Sequence, residues 1–407
     1  MVKKSHYSLS SRTYNIFFIL ILVIACSLII LSLKNIIFAS GADEGYYLSY
    51  AEYINVRGIT GFYDLFRGYL ENQQHWVFPN PLRIGFIVLA AFFVKIFGNN
   101  FISLTYLSLV SYCLFLITCF YFARKYFDEK IALLFAILLA FSPLNMAMAR
   151  RALMESTYNL FSVFSIWLFL DLLKERRPLK YSLFIFVYSF TILVKETGIL
   201  LSLCFIAYLL AYKFIFKNKV YLKDLLSVTL IPFSAVGFIY IVSGGGLSNI
   251  IDTVNIILSA SKSNQYAIIF GSGPWFRYLI DYMLLSPWVV ILSIGYMLYY
   301  FAKKEHDEIS LYFVVLFILT FFTLDLFTKN IRYVMILDMP LRLFTVLMLK
   351  RIFEIRFPKH AYILSIIFVI MISISDYANF YSLFVKEGIY DPVSFPLLRA
   401  RHLIPYK

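Results

Sequence analysis

The sequence predicts an all-α polytopic membrane protein with about eleven transmembrane helices, and three observations predict it. Of 407 residues, 61% are hydrophobic and only 15% are charged, whereas soluble domains carry about a quarter charged residues. Apolar runs recur along the whole chain, most of them near the ~20 residues needed to cross a bilayer. Lys and Arg are distributed unevenly among the connections, as the positive-inside rule requires of a membrane protein. The net charge of +14 is therefore read as topology and attraction to anionic lipid, with no nucleic-acid partner expected.

The runs fall at 14–33, 82–97, 101–123, 131–148, 156–173, 181–194, 199–212, 224–243, 278–301, 309–327, 333–349 and 360–382. The first follows Lys3, Lys4 and Arg12 and is too long for a secretory h-region, so it is expected to remain as a span. The run 82–97 contains Arg83 and Lys95, and only "GNN" separates it from the next. If it does not cross and the chain starts inside, 20 Lys/Arg fall in 55 inside residues and 16 in 142 outside residues. If it did cross, every later basic loop would move outside. The expected topology is eleven spans, N-terminus in and C-terminus out, with 82–97 an interfacial or re-entrant helix. One transmembrane domain covers 1–383, with large external loops at 34–100 and 244–277, and a short external tail covers 384–407. Cys26, Cys113, Cys119 and Cys204 all lie in apolar runs, where they read as small packing residues without a disulfide framework.

This topology gathers the charged motifs on the external face. Asp43 and Glu44 leave the first span as "GADEGYY". Asp43 is placed to cap a helix starting at Glu44, with Tyr46, Tyr50 and Tyr53 along one face. The alternatives are a capped interfacial helix and a carboxylate available as general base at the mouth of a cavity. In "ARRALMES", Arg150 and Arg151 would point about 100° apart on a helix, and Glu155 lies four residues after Arg151. That spacing suits an ion pair, and the planar guanidinium also suits a phosphate. Lys195 follows Lys180 by 15 residues, roughly 22 Å of helix against a core of about 30 Å. Lys195 and Glu196 are therefore expected at acyl-chain depth, where charges default to function. Lys329, Arg332 and Tyr333 sit at the external end of the tenth span, and Asp338 and Arg342 are spaced as an intramembrane pair. His75 and Trp76 lie in the first loop as possible substrate contacts. No His/Cys/carboxylate set has metal-ligand spacing, so no cofactor is expected, with a divalent metal left open.

In their order, "GADEGYYLSYAEYI", "FPNPLRIGFIVLAAFFVKIFGNN", "LLAFSPLNMAMARRALMESTYNLFSVFSIWLFL", "ILVKETGILL" and "KNIRYVMILDMP" resemble the GT-C membrane glycosyltransferases, in the protein O-mannosyltransferase and aminoarabinose-transferase-like branch. The resemblance covers about 40 to 345. It implies juxtamembrane helices in the first external loop, a polyprenyl-phosphate-linked sugar donor, and a catalytic cavity facing outside the cell membrane. It implies Asp43 as general base for inverting transfer, with Glu44 positioning it or the acceptor. Arg151, Lys195 and Arg332 are assigned to the departing lipid phosphate, with Arg83, Arg150 and Lys329 as further donor contacts. Glu155, Glu196, Tyr46, His75, Trp76 and Tyr333 are candidate substrate contacts. Asn80 stands where a basic residue is common in the family, and Glu155 where Asp is frequent. The acceptor is left open among protein, lipid and glycan. The competing readings are a transporter or flippase of lipid-linked sugars, which usually shows internal repeats, and a non-catalytic lipid-phosphate-binding relative.

Overall fold

A computed structural model describes residues 11–263, 265–303 and 306–403. Lys3 and Lys4 lie outside the described residues. Every regular element among the described residues is helical. Among the described residues, seven helices are long and apolar enough to cross a membrane, or eight if one bent pair counts as a single span; the protein is an integral membrane protein.

All twelve apolar runs lie largely in helices, but several are broken by residues that the hydropathy pattern passes over. The run 131–148 forms Glu129–Ala140 and Pro143–Ala149, bent by 60°. Pro143 cannot continue the ladder of the preceding helix and instead opens a new one at its first turn. The Ser142 hydroxyl caps it, accepting from Asn145 N at 3.3 Å. The run 278–301 breaks into Arg277–Leu285 and Pro287–Ala302 for the same reason. Pro178–Val194 has 17 residues and stops at Lys195, whose extended backbone leads into the 3-10 turn Glu196–Leu200. Elsewhere, side chains set the helix starts. Asn100 accepts from Ser103 N at 3.1 Å, Asp128 from Ile131 N at 2.7 Å, and Asp307 from Ser310 N at 2.7 Å.

Glu155–Lys174 is the central span, with 89% of its apolar window buried against 17% for the peripheral Ser11–Ser32. It packs between Phe101–Tyr126 and Pro178–Val194. The first loop forms helices Asp43–Arg57, Gly61–Glu71 and Ile84–Phe97. Ile84–Phe97 packs on Asp43–Arg57, Phe101–Tyr126 and Pro178–Val194. Gly85 permits the last contact, since a Cβ there would lie 3.0 Å from the Leu193 carbonyl carbon. The second loop's helix Leu247–Ser263 packs on Gly61–Glu71.

One polar network lies deep among the spans. Arg342 donates to Asp338 at 2.8 Å, to Asp376 at 2.7 Å and to the Leu138 carbonyl at 2.8 Å. Ser286 donates to Asp376 at 2.8 Å, and Asn145 to Asp338 at 2.8 Å. The Asp338–Arg342 pair is as the i, i+4 spacing predicts. Asp376, from a different span, completes it and was not singled out from the sequence.

Candidate active site

The site is organised by the turn after the first span. Helix Asp43–Arg57 starts one residue earlier than the sequence suggests, with Ala42 at the N-cap and no side-chain cap. Asp43 therefore does not cap the helix; its Oδ2 accepts from Arg332 Nη2 at 3.0 Å. A charge-assisted bond from a guanidinium outweighs one to a first-turn amide. Gly45 lets the loop fold back, because its Cβ position lies 1.8 Å from the Ser40 carbonyl oxygen. Folded so, Ala39 N donates to Glu44 Oε2 at 2.7 Å.

Glu44 is fully buried and saturated. It accepts from Arg151 Nε at 2.9 Å and Nη2 at 2.7 Å, and from Ala152 N at 3.0 Å. Arg151 gives its remaining arm to the Ile37 carbonyl at 3.1 Å. The expected Arg151–Glu155 pair does not form. Residues 150–154 form a turn and bends outside the two helices that flank them, so the i, i+4 geometry is absent. The same break separates Arg150 from Arg151. Arg150 donates to the Phe384 carbonyl at 2.5 Å and the Ser32 carbonyl at 2.7 Å, tying three segments together away from the carboxylates.

Arg332 is the hub. Besides Asp43, its Nε lies 3.7 Å from Glu155 Oε1 and 3.6 Å from Asp391 Oδ1. Those distances give charge contact without a hydrogen bond. Arg332 Nε and Nη1, Lys195 Nζ and Glu155 Oε2 are all buried with no hydrogen-bond partner among the described residues. Lys195 Nζ stands 4.4 Å from the Tyr333 ring centre and 5.3 Å from that of Tyr158. The Arg332 guanidinium stands 5.4 Å from the Tyr333 ring centre. Two cations with unpaired nitrogens thus share the Tyr333 ring, and one of them, Arg332, also bonds Asp43. Buried donors left unpaired are costly, so this is where an anionic ligand gains most.

Glu196 turns away from its neighbour Lys195. It accepts from Asn80 at 3.0 Å and from two arms of Arg83, each at 3.4 Å. Arg83 also donates to the Tyr47 hydroxyl at 2.5 Å. Burial works against the Arg83 charge, but Tyr47, Glu196 and Asp43 outweigh it and hold its pKa well above the usual guanidinium value. Asn80 anchors the loop, its Oδ1 accepting from Leu82 N at 3.1 Å.

Several expected contacts lie elsewhere. Lys329 pairs with Asp325 at 3.2 Å. Tyr46 stacks on Phe78 with ring centres 4.0 Å apart, and His75 meets Tyr46 edge-on at 6.1 Å. Trp76 Nε1 donates to the Tyr69 carbonyl at 2.9 Å. These aromatics build the first loop and are not in the acid–base cluster. Sequence reasoning missed Asn330, Tyr390 and Asp391. Asn330 donates to Asp391 and accepts from Arg332 N at 3.1 Å. The Tyr390 ring centre lies 4.5 Å from the Arg151 guanidinium carbon and 6.0 Å from that of Arg332. Burial, then the Asp43 charge, push the Tyr390 hydroxyl's pKa up. No spacing to other charged residues marks "YDP" in the sequence.

Residues 81–239 match the family model for dolichyl-phosphate-mannose-protein mannosyltransferase. The structure is similar to that of the Archaeoglobus fulgidus oligosaccharyltransferase AglB in complex with an inhibitory peptide and a dolichol-phosphate. Their TM-score is 0.57 at 14% identity, over 92% of this chain and 56% of that one. ArnT from Cupriavidus metallidurans bound to undecaprenyl phosphate is similar with TM-score 0.54 at 14% identity, over 84% of this chain and 61% of that one. Apo ArnT gives 0.51 at 15% identity, over 84% and 60%. The chain spans less than two thirds of each of these proteins. No curated protein sequence matches it. The fold is that of the GT-C membrane transferases.

Proposed function

We propose that this chain, built on the GT-C fold, is a glycosyltransferase that moves a sugar from a polyprenyl-phosphate-linked donor to an acceptor hydroxyl or amine. The observation that carries the reading is the buried Lys195 ammonium and the uncommitted Nε and Nη1 of Arg332, whose third nitrogen bonds the partly exposed carboxylate Asp43. Asp43 has 27% of its side chain accessible, against 0% for Glu44. It is therefore the acid of the adjacent pair that an acceptor can reach.

In this mechanism the donor phosphate lies against Lys195 Nζ and the uncommitted Arg332 N–H groups. As the bond from the anomeric carbon to the phosphate oxygen breaks, negative charge grows on the phosphate. Preorganised cations stabilise that growth more than they stabilise the bound donor. Asp43 takes the proton of the acceptor as it attacks from the opposite face, giving inversion. Glu44, saturated by Arg151 and two backbone amides, positions Asp43 by fixing the first turn of its helix. Arg83 and Glu196 hold the first loop over the site. The bias of Lys and Arg toward the opposite connections supports a site facing outside the cell membrane.

The test is Asp43→Asn in the purified chain, assayed with a panel of labelled polyprenyl-phosphate sugars. Transfer is expected to fall by at least about 10²-fold, as for loss of a general base, with elution and melting behaviour unchanged. Full transfer by Asp43→Asn removes Asp43 as the base.

A further inference from the structure

Asp391 brings a third carboxylate to Arg332, and no step above uses it. Asp43, Glu155 and Asp391 surround Arg332, whose Nη2 bonds Asp43 while its Nε and Nη1, like the nearby Lys195 Nζ, have no hydrogen-bond partner among the described residues. The Tyr390 ring is flanked by the guanidinium groups of Arg151 and Arg332. Tyr390 Oη is itself buried without a hydrogen-bond partner among the described residues.

We propose that Asp391 is an internal stand-in for the donor phosphate, holding Arg332 in the empty site and withdrawing when a lipid phosphate binds. The inference rests on the lipid-phosphate reading of the same site and adds a residue that sets donor affinity.

The argument is electrostatic and geometric. A phosphate brought beside Arg332 meets three carboxylates already clustered there, and like charges at such distances repel strongly unless one moves away. Asp43 is the proposed base and sits on a helix whose first turn Glu44 locks. Glu155 is 2% exposed and begins the most buried span. Asp391 is different. It lies in the connection between the π-helical turn Tyr381–Lys386 and helix Ser394–Ala400. Just upstream, Gly388 has φ +63, a left-handed conformation that glycine adopts without strain. Asp391 is therefore the acid whose backbone is least constrained by regular structure. Its distance to Arg332 Nε, 3.6 Å, leaves that N–H for a closer acceptor. Asn330 couples the two positions, because one amide both donates to Asp391 and accepts from Arg332 N.

The experiment measures binding of undecaprenyl phosphate to the full chain in detergent, without any sugar acceptor. Asp391→Asn removes the competing charge, and its affinity is expected to rise about tenfold or more over the unaltered chain. Asp391→Glu keeps the charge and is expected to stay within about twofold. A residue that merely positioned Arg332 would give weaker binding when neutralised. Unchanged or weakened binding by Asp391→Asn overturns the proposal and leaves the lipid-phosphate reading intact. Absence of binding by every form, the unaltered chain included, overturns both. Should Asp391→Asn fail to fold, hydrogen exchange on the unaltered chain decides. Amides 389–393 are expected to exchange faster with undecaprenyl phosphate bound, and equal or slower exchange overturns the proposal.

Discussion

Glu44 and Arg151 are 107 residues apart in sequence and meet in a two-pronged ion pair, Nε to Oε1 at 2.9 Å and Nη2 to Oε2 at 2.7 Å. This contact fastens the first loop to the turn before the central span. Removing one member of a buried pair leaves an uncompensated charge and costs about 3–5 kcal/mol. Glu44→Gln is therefore expected to lower the melting temperature clearly and to abolish transfer through misplacement of Asp43. Unchanged melting of Glu44→Gln, followed by tryptophan fluorescence in detergent, contradicts that role.

Lys195 gives the opposite signature. Its ammonium is buried with no hydrogen-bond partner, so replacing it with an apolar residue of similar length relieves the empty protein of an unpaired charge. Lys195→Met is expected to melt at or above the temperature of the unaltered chain. Transfer should nonetheless fall by about 10²-fold or more, since the leaving phosphate loses a preorganised cation. Thermal melting and initial rates on one preparation check both halves.

Arg150 belongs to the framework. It bonds the Ser32 and Phe384 carbonyls, each such charged bond contributing about 1.5–3 kcal/mol. Arg150→Ala is expected to lower the melting temperature while leaving the donor KM within about twofold in whatever fraction stays folded. A large rise in KM without loss of stability would restore the donor contact anticipated from the sequence.

Gly45 tests the loop geometry. A Cβ there collides with the Ser40 carbonyl oxygen at 1.8 Å, a backbone atom that cannot swing aside. Gly45→Ala is expected to displace the turn carrying Asp43 and Glu44 and cut kcat by at least about tenfold, because small misplacements of reacting groups are costly. Near-normal kcat for Gly45→Ala shows that the turn tolerates the shift.

Arg342 tests the deep network. Arg342→Ala strands the carboxylates of Asp338 and Asp376 among spans. It is expected to prevent recovery of folded protein, as buried acids without their cation are costly. Recovery rises with Asp376→Asn added to Arg342→Ala, measured as monodisperse yield on size exclusion.

The helical class, the apolar runs, and the convergence of Asp43 and Arg332 near Lys195 were legible because each depends on local composition or on charges next to or within apolar runs. What was not legible depended on breaks in periodicity. Arg151 and Glu155 have helical spacing, yet residues 150–154 leave the helix, so their partners come from Glu44 and Arg332 instead. Lys195 and Glu196 are adjacent but face different partners, since the chain turns between them. Asp391 escaped notice because its contact with Arg332 spans two elements that share no sequence pattern.

The convergence of Asp43 and Asp391 on Arg332 also bears on biosynthesis. Translation delivers Asp43 first, then Arg332, and Asp391 last of the three. The complete charge centre cannot assemble while the chain is still emerging through residue 332. Nascent intermediates therefore lack it.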